Sequence, residues 1–193
     1  GIRRLLKQRL QDESADDLQS ASEQKNRCIE MLRQSPIAIE TDAANEQHYE
    51  VPAAFYQLAL GKHLKYSGCW WDEYTLTLDE AEQAMLERYV ERGQFENGQD
   101  VLELGCGWGS LTLYLAERFP YSRITGVSNS HSQRRHIEKQ AHDRGLTNIR
   151  IITEDVNQLE LEGQFDRVVS IEMFEHMRNY QQLFNKIGSW LRA

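Results

Sequence analysis

The stretch Val101-Leu102-Glu103-Leu104-Gly105-Cys106-Gly107-Trp108-Gly109 constrains this chain more than any other. A short apolar run enters three alternate glycines, and a helical pattern follows at once. That is the form of a strand-to-helix turn in a parallel sheet, where the backbone comes closest to a ligand. The rest of the C-terminal half agrees. Strand-like runs at 99–104, 123–128, 148–153 and 165–173 alternate with helical runs at 110–119, 130–144 and 180–191. Such alternation requires crossover connections and a parallel sheet covered on both faces. The expected fold is therefore α/β, a Rossmann-like sandwich preceded by a helical extension. Glycine leaves no Cβ in a ligand's way, and the N–H groups that open the helix at Ser110 favour an anionic group such as a carboxylate. A need for tight turning would explain one of the glycines but poorly all three. A dinucleotide site would have the spacing G-x-G-x-x-G/A and an acid at the end of the second strand. Here the third glycine comes one residue early, and Ser128-Asn129 stand where the acid belongs. The spacing favours an S-adenosyl methyl donor over a dinucleotide.

Composition narrows the partners. The formal net charge of −8 would repel a phosphate backbone, so nucleic acid is not expected. No apolar run approaches the roughly eighteen residues of a membrane span, and no signal peptide opens the chain. A soluble, cytoplasmic protein is expected. Cys28, Cys69 and Cys106 are widely spaced, as in a reducing compartment, Cys28 and Cys106 read as buried small hydrophobes, and no metal site is suggested. We divide the chain into a helical extension and lid at 1–97 and a donor-binding domain at 98–193. The sequence opens at Gly1 and stops at Ala193, where a fifth strand is expected, so substrate-pocket elements should lie beyond it. In the first 35 residues Ile2, Leu5, Leu6 and Leu10 share a face among basic residues. Packing against the rest of the protein, or against a second subunit in a homodimer, is favoured over a membrane surface. Pro36 and the polar run 40–47 read as a break. The aromatics Tyr66, Trp70, Trp71 and Tyr74 would form either a face for a cation or the core beneath a lid. His131 and His136 sit in a polar helical pattern and are expected in solvent.

A third feature closes the fourth strand. Arg167-Val168-Val169-Ser170-Ile171 is apolar enough for a central strand, yet Glu172, Glu175 and His176 follow at its ligand-facing end. A carboxylate there must face a cavity or find a partner. Two acids and a histidine at that edge are candidates for chemistry. The plainer reading is that Glu175 caps the next helix and His176 is a satisfied core histidine.

Five ordered blocks carry a resemblance over about three quarters of the chain: His48-Tyr49-Glu50-Val51-Pro52, Leu64-Lys65-Tyr66-Ser67-Gly68-Cys69, the glycine loop, Val127-Ser128-Asn129-Ser130-His131-Ser132-Gln133, and Ser170-Ile171-Glu172-Met173-Phe174-Glu175-His176-Met177. With these the sequence resembles the cyclopropane-fatty-acid-synthase-like superfamily of S-adenosyl-L-methionine methyltransferases, most of all the coclaurine N-methyltransferases. The resemblance implies that Tyr66 and Ser67 close over the donor and that Gly105 and Gly107 meet its methionine part. Ser128, Asn129 and Gln133 would take the place of a ribose-binding carboxylate. Asp155 and Val156 would meet adenine, with Ile171 also beside the cofactor; the plainer reading of Asp155 is a turn or cap residue. Glu175 and His176 would accept a proton from a small-molecule amine substrate, and Glu172 would orient it or attract its cation. The expected product of the donor is S-adenosyl-L-homocysteine. In cyclopropane synthases a cysteine directly follows the Tyr-Ser pair and helps hold a bicarbonate base; here Gly68 does, with cysteine displaced to Cys69. That departure, with Glu172 where those enzymes usually have a small residue, leans toward amine methylation. Methylene transfer to a lipid double bond and a non-catalytic donor-binding domain stand as alternatives.

Overall fold

The computed structural model describes residues 1–14, 17–39 and 52–192. The polar run 40–47 and most of the block His48 to Pro52 lie outside them. Four strands, β1 (Asp100–Leu104), β2 (Arg123–Ser128), β3 (Ile149–Thr153) and β4 (Arg167–Ser170), form one parallel sheet in the order β3-β2-β1-β4. In register, Leu104 stands beside Val127 on one side and Ser170 on the other, so these three strands end level with one another. All of β1 is buried, because it has a strand on each side and helices over both faces. β4 is only half-buried, at the sheet's edge among the described residues, rather than central.

Seven helices accompany the sheet among the described residues: α1 (Ile2–Glu13), α2 (Leu18–Gln34), α3 (Ala53–Ala59), α4 (Leu78–Gly93), α5 (Ser110–Arg118), α6 (His131–Asp143) and α7 (Tyr180–Trp190). α4 starts at a capping box in which Thr77 and Glu80 each bond the other's backbone N–H, which fixes its first turn. It then places Leu86 in one core with Val101, Leu111, Leu115 and Ile124, so this last helix of the extension packs on the sheet. On the opposite face Leu102, Leu104, Val127, Leu159 and Trp190 form a second core. No helix among the described residues is long and apolar enough to cross a membrane.

The strands and helices of the C-terminal half fall within a residue or so of their expected limits except at β4. That strand stops at Ser170 instead of 173, since Glu172 takes a left-handed backbone (φ 52) and a single 3-10 turn, Phe174–His176, follows. Three other expectations change. α1 buries none of its residues: Ile2, Leu5, Leu6 and Leu10 are all exposed, so its apolar face does not pack on the described protein. Cys28 is exposed rather than buried, while Cys106 is buried. His136 is half-buried with its ring edge-on to Trp108, because α6 turns that face toward the glycine loop.

A strap from the N-terminal region crosses to the far end of the chain. The side-chain amide of Asn157 accepts from the Ala38 N–H (3.1 Å) and donates to the Ala38 carbonyl (3.0 Å). The Arg178 N–H donates to the Ile37 carbonyl, and Asn179 donates to the carbonyls of Arg33 and Ser35. Ile37 and Ala38 are buried by this docking.

Candidate active site

At the carboxyl ends of all four strands lies a cavity of about 300 Å³, where a parallel sheet places its ligands. Its floor is the glycine turn. The N–H groups of Gly105 and Cys106 both donate to the Val127 carbonyl (3.0 and 2.9 Å), which pins the turn to the neighbouring strand. Gly105, Gly107 and Gly109 all have positive φ, so turning alone accounts for all three glycines, contrary to expectation. They differ in what surrounds them. A Cβ on Gly105 would meet the Met173 side chain at 2.9 Å and one on Gly109 would meet Ile137 at 2.7 Å, whereas one on Gly107 would meet nothing within 4 Å. Only Gly107 keeps space open.

Every residue given a donor-binding, proton-accepting or substrate-orienting role in the sequence lines this cavity: Tyr66 and Ser67, Gly105 and Gly107, Ser128, Asn129 and Gln133, Asp155 and Val156, and Ile171, Glu172, Glu175 and His176. Their hydrogen bonds refine the picture. The Ser128 hydroxyl donates to Gln133 Oε1 (2.6 Å) and accepts the Ser130 N–H (3.0 Å), so Ser128 acts chiefly by fixing Gln133. Asp155 is a turn residue, as the plainer reading had it, since its Oδ1 accepts from the backbone and side-chain nitrogens of Asn157; it also lines the cavity. Glu172 accepts the Gly68 N–H (3.1 Å), and its left-handed backbone turns the chain at the cavity wall. Glu175 and His176 are exposed at that wall. Neither plainer reading fits them: Asn179, not Glu175, caps α7, and an exposed His176 is no core residue.

Sequence reasoning passed over three side chains here. Glu103 is buried in the cavity wall, and loss of solvent pushes its carboxyl up to about 8, against the stabilising Thr112 hydroxyl and the weaker pull of Lys65. Lys65 is buried in the same wall, its Nζ bonded to Ser67 Oγ and the Gly68 carbonyl (2.6 Å each) and to the Tyr89 hydroxyl (3.1 Å). Trp108 is buried between Tyr56 and His136 and closes the wall beside Gly107. Lys65 and Glu103 stand inside quoted blocks, but nothing in a sequence says that a lysine next to a tyrosine is buried. The aromatic group does not form one surface with the site. Only Tyr66 reaches the cavity, edge-on to Tyr56, while Trp70 lies under the Arg88 guanidinium and Trp71 and Tyr74 are exposed.

A sheet ending in such a cavity, with a pinned glycine turn and no dinucleotide spacing, defines the methyltransferase class of Rossmann-like folds. The family model described as mycolic acid cyclopropane synthetase matches residues 38–193, and the chain belongs to that family. An (S)-coclaurine N-methyltransferase of Thalictrum flavum subsp. glaucum is 44% identical over 160 residues, covering 83% of this chain and 44% of the relative. A cyclopropane-fatty-acyl-phospholipid synthase of Escherichia coli strain K12 is 33% identical over 141 residues, covering 72% and 35%. Among solved structures, coclaurine N-methyltransferase bound to N-methylheliamine and S-adenosylhomocysteine superposes with a TM-score of 0.89 at 41% identity, over all of this chain and 55% of that one. The chain thus spans about half the length of the curated relatives it matches.

Proposed function

We propose that the protein is an S-adenosyl-L-methionine-dependent methyltransferase that N-methylates a small-molecule amine. The observation that carries this reading is that one cavity holds both the open glycine turn and the Glu172, Glu175 and His176 cluster. The residues fit the cofactor. Gly107 keeps space free, Glu103 offers a carboxyl for an ammonium group, and the start of α5 and Lys65 offer positive potential for a carboxylate. Gln133 and Asn129 would take the ribose, and Asp155 and Val156 the adenine. When bound, the donor supplies an activated methyl group on a sulfonium. The protein's own residues must then attract an amine and leave it a free lone pair. Glu172, held by the Gly68 N–H, would draw the ammonium form, and Glu175 or His176 would accept its proton.

Methylene transfer to a lipid is less well supported. Gly68 occupies the position after Ser67 and is spent on Glu172, while Cys69 turns its thiol toward the Ser67 carbonyl (3.8 Å) and burial raises its pKa. We place the donor-binding unit at 98–193 and the lid within 1–97, take the compartment to be the cytoplasm, and expect no nucleic-acid partner. The exposed apolar face of α1 suits a second subunit of a homodimer. The test is to incubate the full-length protein with labelled donor and either a panel of amines or unsaturated phospholipid vesicles. A methylated amine is expected. A lipid heavier by one methylene, formed faster with bicarbonate and without any methylated amine, would overturn the assignment.

A further inference from the structure

Lys65 is 2% exposed, yet it borders the cavity. Among the described residues no carboxylate lies within ion-pairing distance of its ammonium; its partners are the Ser67 hydroxyl, the Gly68 carbonyl and the Tyr89 hydroxyl, with the Tyr89 ring centroid 4.9 Å away. Three acceptors use all three ammonium protons. A buried cation with only neutral partners is costly, and the cost falls when an anion comes to rest nearby. The neighbouring acid, Glu103, does not serve, because its carboxyl is bonded to the Thr112 hydroxyl and lies outside ion-pairing distance of the ammonium. The cation is also fixed in place beforehand. Fully buried Glu82 accepts the N–H groups of Gly61 (2.9 Å), His63 (2.8 Å) and Lys65 (3.1 Å), and Leu64 between them is left-handed (φ 49), so the loop is set by its own backbone bonds.

We propose that Lys65 is a positioning residue that makes this site select an adenosyl ligand with an amino-acid tail over the same nucleoside without one. The proposal rests on the donor reading above. Lys65 has no proton left for a ligand, so it acts through Ser67. Its ammonium occupies one lone pair of Ser67 Oγ, which aims the serine's own O–H and makes that proton a better donor to a carboxylate. The buried positive charge then favours that carboxylate electrostatically, while the adenosine end of the ligand, on the other strands, does not feel the change.

Binding of S-adenosylhomocysteine and of methylthioadenosine, which lacks the amino-acid tail, should be measured by calorimetry on the full-length protein. The wild type should prefer S-adenosylhomocysteine. Lys65→Met should weaken that ligand by about tenfold or more and leave methylthioadenosine within about twofold, as loss of a charge-assisted contact to the tail alone requires. Ser67→Ala, which keeps Lys65 and its fold, should show the same selective loss, and the double variant should lose no more than the larger single one. Equal weakening of both ligands would mean that Lys65 only props the loop, and an unchanged preference would mean that it plays no part; either overturns the proposal. A wild type that binds methylthioadenosine as tightly as S-adenosylhomocysteine overturns it too, while one that binds neither overturns the donor reading along with it.

Discussion

Glu175 and His176 share a single 3-10 turn, exposed at the rim of the cavity, whereas Glu103 and Lys65 are sealed into its wall. The exposed pair suits proton traffic with solvent, and the buried pair suits fixed recognition. In the full-length protein Glu175→Gln or His176→Ala should therefore lower the maximal rate of amine methylation by about a hundredfold, the usual scale of a general base, with donor affinity nearly unchanged. The deficit should shrink as pH rises toward the amine's own pKa, because free amine then forms unaided. A steady-state pH profile for each variant checks this, and a constant deficit at every pH would rule out proton acceptance as their role.

At the scale of elements, the turn between β1 and α5 separates two duties that its sequence presents as one. Gly109→Ala forces a Cβ to within 2.7 Å of Ile137 at a positive φ, so it should destabilise the fold by more than the roughly 1 kcal/mol of left-handed strain alone. Gly107→Ala carries the strain without the clash, and its methyl enters open space on the cavity wall. It should weaken S-adenosylhomocysteine more than it lowers the denaturation midpoint, with Gly109→Ala doing the reverse; calorimetry and urea unfolding on both variants decide. This division also shows what could be read beforehand. The alternation of strands and helices and the place of the cavity follow from periodicity and from glycine's special dihedrals, so the sandwich and its open end were legible, and the quoted blocks held every candidate that lines the cavity except Asp155 and Val156. Burial was not legible. Lys65, Glu103 and Glu82 look like ordinary surface charges in the sequence, and their roles depend on loops that only the tertiary structure brings together. The same limit explains α1, whose amphipathic period is plain while its partner is not.

Across the whole molecule, the end of the sheet opposite the cavity is closed by charge. Asp100 is bonded by the guanidinium groups of Arg123 and Arg192, and Arg192 also reaches Asp166, so β1, β2, the entry to β4 and the chain after α7 meet in one cluster. The Arg123 and Arg192 contacts hold the Asp100 carboxyl down at about 2, and Asp166 is lowered as well. A carboxylate depressed below its unfolded value of about 3.9 stabilises the fold above that value and ceases to do so as pH falls through the folded value. Urea midpoints should accordingly drop between about pH 4 and about pH 2, and Arg192→Ala should flatten that drop; an equal slope in the variant would clear the cluster of blame. The strap at the other end has a consequence for synthesis. Its hydrogen bonds join Ala38 to Asn157 and Ser35 to Asn179, partners 119 and 144 positions apart. A ribosome delivers the first member of each pair long before the second, and contacts of such separation form late because a long loop must close first. While the nascent chain grows, β1, β2 and the glycine turn can assemble with the rim of the cavity still absent, and the strap can complete its docking only once Asn179, at the start of α7, has left the exit tunnel.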